Sequence, residues 1–230
     1  MTATWRERSR PPSSAWATVE LALALGIIVA GLLGYFWFSS TPWLLATAAV
    51  SLWWRGPGWR AVGLRRAHAG RALALGVAVG LGYQFFSLYV LEPLIARVVT
   101  GELPDVSAFA SLVGDTSQLL FWLAMSWTLA AFMEEMVFRG WLTTRIAELL
   151  RVSPRGWIAA VVVSSALFGV VHLYQGPAGV ISTGLSGLVF GAVYLATGRN
   201  LWAPILAHGL ADTAGFLMIY FGVYPGLSNY

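Results

Sequence analysis

Seven apolar stretches run along the chain, at 16–34, 36–54, 72–97, 118–141, 157–174, 178–197 and 202–223, separated by short connections rich in glycine, proline or charge. A helix rises about 1.5 Å per residue, so ~20 apolar residues cross the ~30 Å hydrocarbon core of a bilayer. The pattern predicts an all-α fold: a polytopic membrane helical bundle of about seven transmembrane helices. A few residues break the apolar pattern at helical spacing. Glu134, Glu135 and Arg139 fall in the fourth stretch, His172 in the fifth, and His208 with Asp212 in the seventh. A charged side chain at the centre of a spanning helix costs about 2.5–3.5 kcal/mol on insertion scales, and such residues mark functional sites by default.

Composition agrees with a membrane protein. Only 10% of the 230 residues are charged and 58% are hydrophobic, with a mean hydropathy of +0.71; soluble domains carry about 25% charge. The length leaves no room for a second globular domain. There is no cysteine, which excludes disulfides, thiol nucleophiles and thiolate metal sites. All 14 basic residues are arginine, as in a GC-rich bacterial genome, so the expected location is a bacterial plasma membrane. The sequence pI of 9.8 reflects arginines in loops at the lipid headgroups and implies no nucleic-acid partner.

Arginine placement sets an expected orientation. Arg6, Arg8 and Arg10 precede the first stretch. Arg55, Arg60, Arg65, Arg66 and Arg71 lie between the second and third, Arg139, Arg145, Arg151 and Arg155 between the fourth and fifth, and Arg199 between the sixth and seventh. With seven crossings these share one side, and only Arg97 lies opposite, beside Glu102, Asp105 and Asp115. The positive-inside rule places the N-terminus in the cytosol and the C-terminus outside. The basic start resembles a signal-peptide n-region, but the apolar stretch after it is too long for an h-region, so a retained span is expected. Residues 55–71 read as a surface segment touching headgroups. Residues 139–151 read as a helical prolongation of the fourth span along the interface. Gly76-x-x-x-Gly80 and Gly187-x-x-x-Gly191 read as close helix contacts. Glu20 and Glu92 read as partly buried or snorkelling, and His68 is assigned no role.

The costly residues form a chemical set. Glu135 and Arg139 are i and i+4, so they share a helix face and can pair. Glu134 points about 100° away and is left to face the bundle interior as a candidate base. His172 follows Phe168 by four residues, with Ser165 and Gly169 leaving room beside it. His208 and Asp212 are again i and i+4, so the carboxylate can orient or charge the imidazole. Counted along their helices, His172 lies deeper than Glu134 and His208, and a tilted fifth helix would bring them level.

The three motifs EEMVFR (134–139), FGVVH (168–172) and HGLAD (208–212) resemble those of the CAAX prenyl endopeptidases and bacteriocin-processing enzymes, the CPBP or Abi intramembrane proteases. The resemblance covers about 118–215. With the apolar stretches and the arginine pattern, this divides the chain into a cytosolic tail (1–15), N-terminal helices and loops (16–117), a catalytic core (118–223) and a C-terminal tail (224–230). The resemblance implies an endopeptidase open toward the cytosol, acting on a membrane-associated peptide or protein substrate. By that resemblance Glu134 and His172 hold and activate water, and His208 with residue 212 stabilises the oxyanion. Glu135, Arg139 and Phe168 support them. Aspartate at 212 either donates to the oxyanion when protonated or orients a protonated His208. The resemblance favours a reaction without a cofactor, while Glu134, His172 and His208 could instead ligate zinc with an open fourth position. Two further readings stay open: a non-catalytic scaffold or bacteriocin-immunity protein with the same fold, and a proton-coupled transporter, for which no repeat is evident.

Overall fold

The computed structural model describes residues 14–227 apart from 38, 57, 66–68, 105 and 226. Arg6, Arg8, Arg10, Arg66, His68 and Asp105, named above, lie outside the described residues. Every apolar stretch forms a helix: α1 Ser14–Leu32, α2 Thr41–Arg55, α3 Ala69–Thr100, α4 Thr116–Leu149, α5 Pro154–Val170, α6 Gly176–Ala196 and α7 Trp202–Tyr220. Five are long and apolar enough to cross a membrane, namely α1, α3, α4, α7, and α6 with the turn before it. By contrast α2, with 15 residues, and α5, with 17, are shorter. The protein is a polytopic helical bundle.

Local chemistry sets the helix ends. Asp115 caps α4, its carboxylate accepting from the Ser117 and Gln118 amides at 2.9 and 3.1 Å. The Ser117 hydroxyl, followed by those amides, holds the Asp115 carboxyl below the usual carboxylate range. Ser153 caps α5 by accepting from the Gly156 amide, with Pro154 directly behind it; proline suits the first turn because its missing N–H would have no partner there.

Helix α4 is the centre of the bundle. Met136, Val137, Phe138, Trp141 and Leu142 form one core with Ala24 and Ile28 of α1, Leu44, Ala48 and Leu52 of α2, Phe168 of α5 and Ile205 of α7. From Ser126 to Leu142 its backbone bonds run i to i+5. This wider π-type winding is rare over more than a turn and is frequent at functional sites. The stretch 143–149 continues the helix but does not lie free along a surface. Ile146 and Ala147 pack with Ala160 of α5.

Close approaches fix the other helices. A Cβ at Gly76 would lie 2.9 Å from the Ala203 carbonyl oxygen, and one at Gly80 would lie 2.9 Å from Ala207 Cα. The absent side chains let α3 press directly against α7. Gly187 and Gly191 do the same for α6 against Ser165 and Val161 of α5.

Four sequence expectations change. Glu20 is 8% exposed and belongs to an ion cluster. Its oxygens accept from Ser51 Oγ at 2.7 Å and from Arg55 Nε and Nη2 at 2.9 and 2.6 Å, and Arg145 Nε lies 3.3 Å away. Glu92 is also buried, accepting from Ser87 Oγ at 3.1 Å. Arg139, grouped above with the loop arginines, is buried inside the bundle. Within 55–71 the Val62–Gly63 turn points inward, while Arg60, Ala61, Arg65 and Arg71 stay exposed: Val62 is fully buried, Tyr194 Oη donates to its carbonyl at 2.9 Å, and the Leu201 amide donates to the Gly63 carbonyl. For Glu20, Arg139 and the Val62–Gly63 turn, partners came from helices distant in sequence.

Candidate active site

A cavity of about 810 Å³ is lined by Glu134, His172, His208 and Asp212 together, a size typical of ligand sites. Its walls continue along the N-terminal half of α4 (Trp122, Ser126, Ala130) and the middle of α3 (Tyr83, Gln84, Glu92). His172 stands in the turn just beyond α5, which ends at Val170. That turn bends over the cavity, so His172 reaches the same space as Glu134 and His208 despite its later position along its helix.

The adjacent glutamates have different surroundings. Glu135 is fully buried. Its Oε1 lies 2.9 Å from Arg139 Nη1 and 2.9 Å from His208 Nδ1. Glu134 lines the cavity, and its Oε2 has no hydrogen-bond partner among the described residues. Arg139 lies with its guanidinium 4.2 Å from the Phe168 ring centroid and 5.6 Å from that of Phe190. The electron-rich ring faces supply favourable contact to a cation withdrawn from water.

Phe168 touches most of the set. Its ring meets His172 edge-on at 4.7 Å and His208 at 6.0 Å, as well as carrying Arg139. Its carbonyl oxygen lies 2.7 Å from His172 Nδ1. A carbonyl only accepts, so His172 donates from Nδ1 and its Nε2 carries the free lone pair. His208 is stacked on Phe190 at 5.1 Å.

The sequence paired His208 with Asp212, but the closer carboxylate is Glu135. Asp212 Oδ2 stands 3.6 Å from His208 Nε2, beyond hydrogen-bond distance. It accepts instead from Ser126 Oγ at 2.7 Å. The i,i+4 rule found the partner on the same helix and could not find one 73 residues away. Ser126 was missed for the same reason, as was Trp127, whose Nε1 donates to Thr213 Oγ1 and whose ring lies against Gly209. No pattern along the chain marks either residue.

Among the described residues no three His, Asp or Glu side chains are grouped to hold a metal ion. Glu134, His172 and His208 share the cavity; Nδ1 of His172 is held by the Phe168 carbonyl and Nδ1 of His208 faces Glu135.

Residues 116–214 match the family profile described as type II CAAX prenyl endopeptidase Rce1-like. No curated protein and no solved structure gives a significant match to the chain. The matched segment runs from the start of α4 into α7 and contains every charged or imidazole group of the cavity except Glu92. Over residues 116–214 the chain is thus similar to the Rce1-like type II CAAX prenyl endopeptidases, a family of hydrolases.

Proposed function

We propose that this protein is an intramembrane endopeptidase that hydrolyses a peptide bond of a membrane-associated peptide or protein. The observation that carries the reading is the convergence of Glu134 from α4, His172 from the turn after α5, and His208 and Asp212 from α7 on one cavity. The family match over the same residues supports it. Helix connections that alternate between two ends of the bundle support seven crossings, with α2 and α5 as short ones.

Water in the cavity would meet two acceptors: the unpartnered Glu134 Oε2 and the free Nε2 of His172. Glu134 takes one proton as the water oxygen bonds to the scissile carbonyl carbon. The carbonyl oxygen becomes an oxyanion, and His208 donates to it from Nε2. Glu135 holds that imidazole by Nδ1, and Asp212 lies beside Nε2 to stabilise its charge. As the carbon–nitrogen bond breaks, Glu134 returns the proton to the leaving amine. The acid and the amine products then separate.

The test compares peptide termini, by mass spectrometry, in membranes of cells expressing the wild type or Glu134→Gln. New termini found only with the wild type are expected. Identical termini, with the variant equally abundant and the native phenotype kept, would overturn the protease in favour of a non-catalytic scaffold or immunity protein.

A further inference from the structure

The two ends of the bundle differ in charge and in access. One end gathers Arg55, Arg60 and Arg65 after α2, Arg71 early in α3, Arg145 and Arg151 around the end of α4, Arg155 at the start of α5 and Arg199 before α7. It is also packed shut. The Trp59–Val62 turn inserts there, Leu201 and Val62 are fully buried, and the Glu20–Arg55–Arg145–Glu148 cluster ties α1, α2 and α4 together.

The cavity lies toward the other end. Its lining includes Ser39–Pro42 between α1 and α2, Pro104 and Phe109 between α3 and α4, the 171–175 turn between α5 and α6, and Tyr224 beyond α7. On α4 and α7 it reaches inward only to Glu134 and His208. Among the described residues, nothing from the α2–α3, α4–α5 or α6–α7 connections lines it. The positive-inside rule applies to short loops such as these and places the arginine-rich end in the cytosol. An arginine-rich cytosolic end and a site open to the cytosol are therefore incompatible in this fold.

We infer that the active-site cavity opens to the extracytosolic side of the membrane and takes its substrate from there. The inference rests on the protease reading for the word substrate, but its geometry does not. Among the described residues the charged side chains lining the cavity are Glu92, Glu134 and Asp212, with no arginine, and Phe36, Phe109, Trp122 and Phe216 supply apolar wall. Glu102 and Asp115 are exposed at the same end. This lining suits an apolar peptide segment free of acidic side chains, presented on the outer face after translocation, and disfavours an acidic one by like-charge repulsion.

The absence of cysteine makes the test direct. Single thiols are placed at Val113→Cys, exposed before α4, and Val152→Cys, exposed between α4 and α5. Two further thiols, Ala130→Cys and the near-isosteric Ser40→Cys, line the cavity. A membrane-impermeant maleimide is applied to intact cells and, separately, to lysed membranes. Val113→Cys and at least one cavity thiol should react on intact cells, and Val152→Cys only after lysis. The reverse pattern for Val113→Cys and Val152→Cys overturns the orientation. Protection of both cavity thiols on intact cells overturns the outward opening. Labelling reads no proteolysis, so it stands even if Glu134→Gln changes no termini. If cleavage is found, its sites should fall in extracytosolic segments, and cytosolic sites would also refute the inference.

Discussion

Glu134 and Glu135 are neighbours in sequence, yet their replacement by glutamine should have opposite consequences. Glu135 is fully buried, and one of its oxygens lies 2.9 Å from both Arg139 Nη1 and His208 Nδ1. Removing one partner of a buried ion pair typically costs about 3–5 kcal/mol, because the remaining charge loses its compensation. In Glu135→Gln the amide oxygen still accepts from one neighbour, which recovers about 1 kcal/mol. The net loss is about 2–4 kcal/mol, or a midpoint lower by roughly 5–15 °C for a chain of this size. Glu134 Oε2 has no partner to lose, so Glu134→Gln should keep stability to within about 0.5 kcal/mol or raise it, since a neutral amide is cheaper to bury than a carboxylate. Activity should vanish in Glu134→Gln all the same. The assay is thermal unfolding of detergent-purified protein, followed by tryptophan fluorescence, beside cleavage in membranes. A wild-type midpoint for Glu135→Gln, or a large drop for Glu134→Gln, would refute the division of roles.

Ser126→Ala removes the hydroxyl that donates to Asp212 at 2.7 Å; turnover should fall roughly fivefold, for a bond worth about 1 kcal/mol, with KM unchanged. A changed KM with normal turnover would place Ser126 in substrate binding instead. Gly80→Ala puts a Cβ 2.9 Å from Ala207 Cα, next to His208. Overpacking of this kind costs about 1–3 kcal/mol, and the unfolding midpoint should drop accordingly, whereas Gly26→Ala, which meets nothing within 4 Å, should not lower it. Exhaustive chelation of purified protein should leave cleavage intact, because among the described residues no three His, Asp or Glu side chains are grouped to hold a metal ion; activity lost on chelation and restored by zinc would refute that.

The sequence by itself determined the helices. Apolar runs near 20 residues leave the backbone no way to satisfy its hydrogen bonds in lipid except within each segment, so existence and order of α1 to α7 were readable from hydropathy. It also marked the site, since charged and imidazole groups stand out against an apolar background, and their i,i+4 spacings are local geometry. Only the tertiary structure decided who meets whom. That Glu135 faces His208, that Ser126 holds Asp212, and that Glu20 joins Arg55 and Arg145 depend on which helices pack together, and hydropathy is nearly blind to this because every lipid-buried face is apolar. The depth of His172 was set by a turn beyond α5 and not by a count along a helix. The direction in which the cavity points is likewise invisible in one dimension. It follows from the inward turn of 59–62 and the ion cluster that together pack the arginine-rich end shut, so that the space among α3, α4, α6 and α7 lies toward the opposite one.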